Sequence, residues 1–243
     1  MIEARTASFL EELQGAKSIA SLEGALDAQL KWCGVESYTY IGLNPPNWKA
    51  RSIVLTTYPS EWTERYENRN YVFSDPVLIK ARQALLPFVW GPEQNLPAHS
   101  KKQKRIMREF AEFGYQYGLT VPLRGFGGEF ASLIISFGRQ GDAFNEVVRN
   151  RNNELWISAL YFHDQLWKTL IGDQFTSPVY LTERQIETLT WLATGKPMRD
   201  VADILSVSEY AIRYHVLQAA ERLGTPNLTS TVARAIALGF VRT

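Results

Sequence analysis

The chain contains few cysteines and histidines, and this shortage excludes several kinds of active site. Cys33 is the only cysteine among the 243 residues, so an intrachain disulfide or a thiolate zinc cluster cannot form, and we interpret its thiol as a buried apolar group. The three histidines, His99, His163 and His215, are scattered, and no metal-ligand spacing or nucleophile elbow accompanies them. The stretch GFGGEF lacks the third glycine of a dinucleotide fingerprint, which favours a hairpin turn. We therefore predict no catalytic residue, no cofactor and no metal site.

Long apolar runs and an excess of one charge are also missing. No uninterrupted apolar run approaches the length of about 18 residues that a membrane-spanning helix needs. The first residues, MIEARTASFLEEL, show no basic flank followed by an apolar stretch, so we expect a cytoplasmic protein with no membrane partner. The formal net charge is +1, and the segment after Pro178 holds seven basic and six acidic side chains. Binding of nucleic acid by that segment would therefore depend on dimerisation and on individually placed arginines.

The chain does contain ample apolar surface, because 45% of its residues are hydrophobic and 21% are charged, as in folded globular proteins. Residues 1–170 mix strand and helix periods, 171–178 are polar with glycine and proline, and 179–243 show only short helical periods. We predict an α+β fold with an N-terminal α/β/α sandwich around an antiparallel sheet. A linker over 171–178 and a C-terminal all-α domain of four helices over 179–243 are expected to follow.

Several segments of the N-terminal part have a clear period. SFLEEL and SLEGALDAQLKW predict amphipathic helices, whereas YTYIGL, RSIVLTT, GLTVPL and FASLIISF predict strands. One long helix is expected from Phe144 to about Trp167, with an apolar stripe that packs on the sheet. The stripe comprises Val148, Leu155, Ala159, Phe162 and Leu166. Trp156 and Trp167 fall partly off it, which is compatible with edge packing or with a subunit interface.

The C-terminal segment begins with local signals for two helices. Thr182 and Gln185 form a capping box that starts the first helix, and Gly195 ends it. A short helix over 199–205 and a turn follow. Ser208 then offers a good N-cap for the next helix.

The third helix has one apolar face, and its spacing from the second helix is that of a helix-turn-helix. The inward side chains are Ile212, Val216, Ala219 and Leu223. A fourth helix, after Ser230, is expected to close the core through Val232 and Ile236.

The face of the third helix opposite Ile212 is free to contact DNA. A recognition helix reads base edges from its N-terminal residues, so Tyr210, Arg213 and Tyr214 are candidates for base contacts, with Gln218 on the flank. Candidate phosphate contacts are Arg184, Lys196 and Arg199. For any one arginine, a solvated or internally paired side chain is equally compatible with the sequence.

The string LTERQIETLTWLATGKPMRDVADILSVSEYAIRYHVLQAAERLGTPN resembles the LuxR/FixJ-type helix-turn-helix, and the resemblance covers nearly the whole C-terminal domain. Four positions depart from the family's usual pattern. They are Gln185 for glutamate, Ala211 for threonine, Gln218 for asparagine and Arg222 for lysine. Gln185 preserves the capping box and Arg222 preserves the charge, whereas the loss of a hydroxyl at Ala211 removes one possible phosphate contact.

The segment YPSEWTERYENRNYVFSDPVLIKARQALLPFVW resembles the acyl-homoserine lactone-binding domain of LuxR-type quorum-sensing regulators. The matching positions are Trp62, Tyr66, Asp75-Pro76, Trp90 and, further on, Gly118. The resemblance implies a cytoplasmic transcription factor that binds a lactone autoinducer and binds a pseudo-palindromic promoter site as a homodimer. RNA polymerase would be a further partner if the protein activates transcription.

The family resemblance also implies roles for individual side chains. The Trp62 indole N–H would donate to the lactone carbonyl, the Asp75 carboxylate would accept from the ligand amide, and the Tyr58 hydroxyl would donate to the acyl carbonyl. Tyr66 and Trp90 would form the walls around the lactone ring. For the aromatic residues the alternative is ordinary core packing, and for Asp75-Pro76 it is a helix N-cap followed by proline.

One departure bears on ligand specificity. Counted from Gly118, the strand position that is often serine or threonine in this family is Ile134. Ser132 and Ser136 have the wrong spacing, unless a register irregularity brings one of them inward. Tyr38 and Tyr40 share one face of a nearby strand, and together with Ile134 they predict a partly filled pocket that suits a short, branched or aromatic acyl group.

Two other functions are compatible with parts of the sequence. The first is a LuxR-type regulator that is ligand-independent or senses a non-lactone small molecule, with the pocket residues serving as core. The second is an enzyme acting on a small molecule, which the scattered histidines disfavour.

Overall fold

The computed structural model describes residues 3–43, 52–92, 96, 100–125, 129–171 and 179–242. The chain divides into two compact units, of which the first extends to Ile171 and the second contains the C-terminal helices. The predicted linker, apart from Ile171, lies outside the described residues. None of the helices in the described ranges is long and apolar enough to cross a membrane.

A five-stranded antiparallel sheet forms the centre of the first unit. Its strands are β1 (Tyr38–Leu43), β2 (Ser52–Thr56), β3 (Phe88–Trp90), β4 (Tyr117–Arg124) and β5 (Phe130–Phe137), in the order β2-β1-β5-β4-β3. The strands are rich in β-branched and aromatic residues, which pack well on a pleated surface. β4 and β5 pair directly from Tyr117 with Phe137 to Arg124 with Phe130, as a hairpin requires. The turn predicted in GFGGEF includes residues 126–128, which lie outside the described residues.

Helices on the first face of the sheet bury a continuous aliphatic core. They are α1 (Ala4–Gly15), α2 (Ile19–Trp32), α6 (Asp142–Asn150) and α7 (Asn152–Ile171). Their inward side chains pack against alternate residues of β1, β4 and β5, including Tyr40, Leu119 and Leu133. The three segments predicted here from the apolar period are therefore confirmed as helical.

The long C-terminal helix of this unit differs from its prediction in one respect. It is interrupted between Asn150 and Asn152, which separates α6 from α7. The interruption shifts the helical phase, so Val147 rather than Val148 is buried, whereas the other four predicted stripe residues are buried in α7 as expected. Trp167 is also buried, and its indole N–H donates to Nδ1 of His163 at 2.5 Å.

The second face of the sheet is covered by shorter elements. These are α3 (Ser60–Asn68), a 3₁₀ turn (Tyr71–Phe73), α4 (Pro76–Gln83) and α5 (Lys101–Glu112). Most of the aromatic residues between positions 58 and 115 lie here, packed against alternate residues of β1, β3 and β5. With helices on both faces, the predicted α/β/α sandwich is confirmed, and this face holds the residues of interest.

The second unit consists of α8 (Glu183–Ala193), α9 (Met198–Leu205), α10 (Glu209–Leu223) and α11 (Leu228–Ala237). The predicted capping box is present, with Thr182 Oγ1 accepting from the Gln185 amide at 3.3 Å. Gly195 has φ +84° and ends α8 in the left-handed region that glycine tolerates. The predicted apolar face of α10 is fully buried, which confirms the helix-turn-helix core.

The fourth helix of this unit begins earlier than the sequence indicates. Asn227 rather than Ser230 caps it, since the Asn227 side chain accepts from the Ser230 amide at 2.9 Å. Thr231 and Ala235 are the buried residues of this helix and Val232 packs partly against the core, whereas Ile236 is 38% exposed. The expectation that Ile236 packs inward is wrong.

Candidate ligand pocket and nucleic-acid interface

The sheet residues beneath the second face form the floor of a candidate pocket. Phe130 and Ile134 of β5 pack with the aromatic residues of this face, whereas Ala131 and Leu133 pack with the helices of the first face. Because strand side chains alternate between faces, Ser132 and Ser136 lie on the same face as Ile134. The expectation that these two serines have the wrong spacing is therefore wrong.

Tyr38 and Tyr40 lie on the opposite face of the sheet from Ile134. The register pairs Tyr40 with Leu133, and directly paired residues of an antiparallel ladder point to the same side. The Tyr40 hydroxyl is 2.7 Å from Nδ1 of His163 in α7, and burial lowers the pKa of this histidine to about 4. The expectation that both tyrosines line the pocket with Ile134 is wrong, because it ignored the register between β1 and β5.

The other sequence-predicted side chains come together in a group that we call the aromatic cluster. Its members are Tyr58, Trp62, Tyr66, Tyr71, Trp90, Phe110 and Tyr115. The Trp62 ring stacks on Phe110 with centroids 4.9 Å apart, and Tyr58 packs against Tyr115 at 4.9 Å. The cluster supplies flat apolar walls, which suit a small ligand with a ring and an acyl chain.

Trp90 is fixed in its place by the strand next to it. It pairs across the ladder with Gly118, and a Cβ atom at Gly118 would lie 2.2 Å from the Trp90 ring and 2.3 Å from the Ile135 carbonyl oxygen. Glycine at this position therefore makes room for the indole. The Trp90 N–H donates to Thr120 Oγ1 at 3.0 Å, so this tryptophan forms a wall and has no free donor for a ligand.

Asp75 places a carboxylate inside the aromatic cluster with only 8% of its surface exposed. Oδ1 accepts from the Val77 amide at 2.8 Å, which makes Asp75 the N-cap of α4 with Pro76 behind it, and Oδ2 accepts from the Tyr66 hydroxyl at 2.8 Å. Burial raises the pKa of Asp75, although the hydrogen bonds from Tyr66 and Val77 oppose the shift. A carboxylate has about four lone-pair sites, so acceptor capacity is left for a ligand donor.

Four further polar groups of the pocket differ in whether they have a hydrogen-bond partner. The Tyr58 hydroxyl is 2.6 Å from Ser136 Oγ, so these two groups already form a pair. The Ser132 hydroxyl is completely buried without a hydrogen-bond partner. Among the hydrogen bonds of the described residues, none involves the indole N–H of Trp62, which is 4% exposed. Such groups are costly to bury alone, and Trp62 and Ser132 are therefore available to a ligand.

A second buried carboxylate at the edge of the aromatic cluster was not predicted from the sequence. Glu109 accepts from Arg69 at 2.6 Å, from Arg105 at 2.6 Å and from the Tyr71 hydroxyl at 3.0 Å. Burial raises its pKa, but these hydrogen bonds outweigh burial and the net pKa is lowered. The i, i+4 spacing of Arg105 and Glu109 was the only local pattern in the sequence that indicated an ion pair at this carboxylate. Glu109 is satisfied within the protein, unlike Asp75, which has no cationic hydrogen-bond partner among the described residues.

In the second unit, α10 presents a surface suited to the DNA major groove. Tyr210 is 80% exposed, Tyr214 is 54% exposed and Leu217 is 67% exposed, on the side opposite the buried face. Arg213 pairs with Glu209 through Nη2 at 2.7 Å, and Gln218 lies on the flank, 3.5 Å from Glu221. The predicted outward face of this helix is therefore present.

The three candidate phosphate contacts differ in the partners of their side chains. Arg184 pairs with Glu187 at 2.6 Å, and the Lys196 ammonium lies 5.7 Å from the centre of the Trp191 ring. Arg199, in the first turn of α9, takes part in no ion pair among the described residues. Arg199 is thus the cation of the three that is most available to an anionic partner.

Comparison with known proteins agrees with both parts of this description. Residues 18–166 match the family described as "Autoinducer binding domain", and residues 179–235 match the one described as "Bacterial regulatory proteins, luxR family". The chain is 26% identical to the transcriptional activator protein EchR of Dickeya chrysanthemi over 92% of each chain. It is 27% identical to the HTH-type quorum sensing-dependent transcriptional regulator RpaR of Rhodopseudomonas palustris, over 98% of this chain and 95% of the relative. A crystal structure of Escherichia coli SdiA shares the fold, with a TM-score of 0.65, 20% identity and 98% coverage of both chains.

An autoinducer-binding unit joined to a helix-turn-helix unit defines the class of the protein as a transcription regulator rather than an enzyme. The chain belongs to the LuxR family of quorum-sensing transcriptional regulators with an autoinducer-binding domain. The resemblance found in the sequence is thereby confirmed.

Proposed function

We propose that the chain is a receptor for an acyl-homoserine lactone, bound in the aromatic cluster, and that it binds a pseudo-palindromic promoter site as a homodimer. The observation that carries the ligand proposal is the buried carboxylate of Asp75. Arg82 stabilises this carboxylate through its charge, but no cation among the described residues donates a hydrogen bond to it, and a buried carboxylate is costly unless several donors surround it. A ligand amide N–H would add such a donor.

The remaining groups of the pocket complement the rest of the same ligand. The free N–H of Trp62 suits a lactone carbonyl, and the hydroxyl pair of Tyr58 and Ser136 suits an acyl carbonyl. Tyr66 and Trp90 form apolar walls, and Ile134 lies on the sheet floor. Ile134 offers no hydrogen bond, so Ser136 takes the supporting role on the same face of β5.

The DNA part of the proposal rests on the surface of α10 and on charge. Residues 179–243 carry seven basic and six acidic side chains, so one copy offers few phosphate contacts. Twofold pairing doubles these contacts and fixes the spacing of the half-sites. In this proposal Tyr210, Tyr214 and Arg213 face base edges, with Gln218 beside them, and Arg199 contacts a phosphate together with Arg184 and Lys196. In this proposal the protein binds its promoter in the cytoplasm. RNA polymerase is a further partner if the protein activates transcription.

A LuxR-type regulator that senses a non-lactone molecule, or none, is the second candidate. The close ring contacts of Trp62, Phe110 and Tyr115 favour it, because they leave the aromatic cluster well packed without any ligand. In that case Asp75 would serve only as the N-cap of α4.

Expression in the presence of a panel of lactones, followed by extraction and mass spectrometry of the purified protein, separates the two candidates. We expect one lactone to copurify in about equimolar amount with the wild type. The matched variant Asp75→Asn keeps the N-cap and should retain far less lactone than the wild type. A wild-type protein that is folded and carries no lactone from the panel would contradict the proposal.

A further inference from the structure

We propose that α10 recognises thymine in its half-site through the C5-methyl groups, using a stripe of exposed apolar side chains beside Arg213. The stripe consists of Tyr210, Tyr214 and Leu217, and we call it the methyl-reading stripe. The inference rests on the proposed binding of DNA by the second unit and adds the chemical class of the bases that are read.

The geometry of the helix aligns the three side chains. Residues at i, i+4 and i+7 lie on one side of an α-helix, and Tyr210, Tyr214 and Leu217 have this spacing. The buried residues Ile212 and Val216 lie on the other side. The stripe therefore projects directly away from the core of the second unit.

The exposure of these side chains is unusual for a helix that packs well. Tyr210, Tyr214 and Leu217 are 80%, 54% and 67% exposed, whereas each apolar residue on the inner face is at most 6% exposed. Single exposed apolar residues are common, but a contiguous row of them marks a binding surface. Leu217 is decisive, because it has no hydrogen-bonding group and gains only from an apolar partner.

The thymine methyl group is the apolar feature that the major groove offers. The other base edges present hydrogen-bond donors and acceptors, which a leucine cannot use. The distance along the helix from Tyr210 to Leu217 is about 10 Å at ~1.5 Å per residue, which corresponds to roughly three base-pair steps. Methyl groups on two or three neighbouring base pairs are therefore within reach.

The charged groups around the stripe favour the same conclusion. Arg213 forms an ion pair with Glu209 at 2.7 Å. An exposed ion pair of this kind is weak, so Arg213 remains able to leave it. Glu221 extends the stripe towards the end of α10 and would repel phosphate. Arg213 and Gln218 therefore flank the stripe, and its apolar side chains occupy the centre of the outward face of α10.

The test uses the full-length protein and synthetic DNA. A specific duplex is first selected from a random double-stranded library, and each thymine of its half-site is then replaced singly by deoxyuridine. This replacement removes only the C5-methyl group and keeps base pairing. We expect two or three positions in each half-site at which deoxyuridine weakens binding by about fourfold, the effect of losing one buried methyl group.

Variants of the methyl-reading stripe show which side chain contacts which thymine of the half-site. Leu217→Ala should abolish the thymine-over-deoxyuridine preference at one position and leave the others unchanged. Tyr214→Phe should keep its preference and Tyr214→Ser should lose it, because the ring and not the hydroxyl touches the methyl group. Ile236→Ala removes an exposed apolar side chain of α11 and serves as the control, with every preference retained.

Two results would overturn the inference, and they are distinguishable. Equal affinity for thymine and deoxyuridine at every position, with sequence-specific binding intact, overturns methyl reading and leaves the proposed function standing. A failure to select any specific duplex overturns the proposed DNA binding as well.

Discussion

The substitution of Asp75 by asparagine separates the two roles that the structure gives to this carboxylate. Asparagine is nearly isosteric, and its single oxygen can still accept from the Val77 amide, which preserves the N-cap of α4. Its NH₂ group would face Tyr66, whose hydroxyl can turn from donor to acceptor. The fold of the first unit should therefore survive, while an amide donor of the ligand would meet another donor.

The size of the effect follows from these contacts. A hydrogen bond to a charged group contributes about 1.5–3 kcal/mol, so Asp75→Asn should raise the half-maximal lactone concentration by about 10- to 150-fold. Asp75→Ala should add a folding defect. It removes a cap worth about 0.5–2 kcal/mol and leaves the buried Tyr66 hydroxyl without its partner.

The assay is a promoter-reporter dose response with the most potent lactone of a panel, combined with immunoblotting to normalise for protein level. Ser100→Ala is the matched control, because Ser100 caps α5 through the Gln103 amide and lies away from Asp75 in the sequence. Ser100→Ala should lower the free energy of unfolding about as much as the loss of the α4 cap does in Asp75→Ala. It should leave the half-maximal lactone concentration unchanged. Wild-type sensitivity of Asp75→Asn at equal protein level would refute the assignment of Asp75 as the amide acceptor.

The pH dependence provides an independent check on the same group. Burial raises the pKa of Asp75 in the folded protein above its value in the unfolded chain. The folded state therefore binds the proton more tightly, and this group's contribution to stability falls as the pH rises through the interval between the two pKa values. Lactone binding should show the opposite trend and weaken on acidification, because the ligand amide prefers the charged acceptor. Both trends should be absent in Asp75→Asn when followed by thermal unfolding and direct ligand titration.

Three further predictions address other parts of the structure. Gly118→Ala should destabilise the protein by about 1–3 kcal/mol in thermal unfolding, because the added methyl group overpacks against the indole of Trp90. Gly24→Ala, in open space on α2, is the control and should not destabilise it. Equal melting temperatures of Gly118→Ala and the wild type would contradict this packing. Ser132→Ala should raise ligand-free stability slightly, because it removes a buried hydroxyl that has no partner among the described residues, and a clear drop in melting temperature would reveal a partner. Arg199→Ala should weaken all DNA sites alike and reduce the salt slope by about 1, and an effect confined to one base position would reassign it.

The sequence by itself determined the features that depend on near neighbours along the chain. The capping box of Thr182 and Gln185, the glycine that ends α8 and the apolar face of α10 involve residues a few positions apart, so their patterns predict the helix-turn-helix directly. The N-cap at Asp75 has the same local origin, since its acceptor and the Val77 amide are separated by two positions.

Only the tertiary structure decided which distant groups meet. The register between β1 and β5 placed Tyr40 on the face opposite Ile134, and one residue of slippage would have reversed this result. The contact of Tyr58 with Ser136 joins residues 78 positions apart, and the contact of Arg69 with Glu109 joins residues 40 positions apart. No local period encodes such pairs, because they follow from how the strands align and how the helices pack across the sheet, and both are settled by the whole core at once.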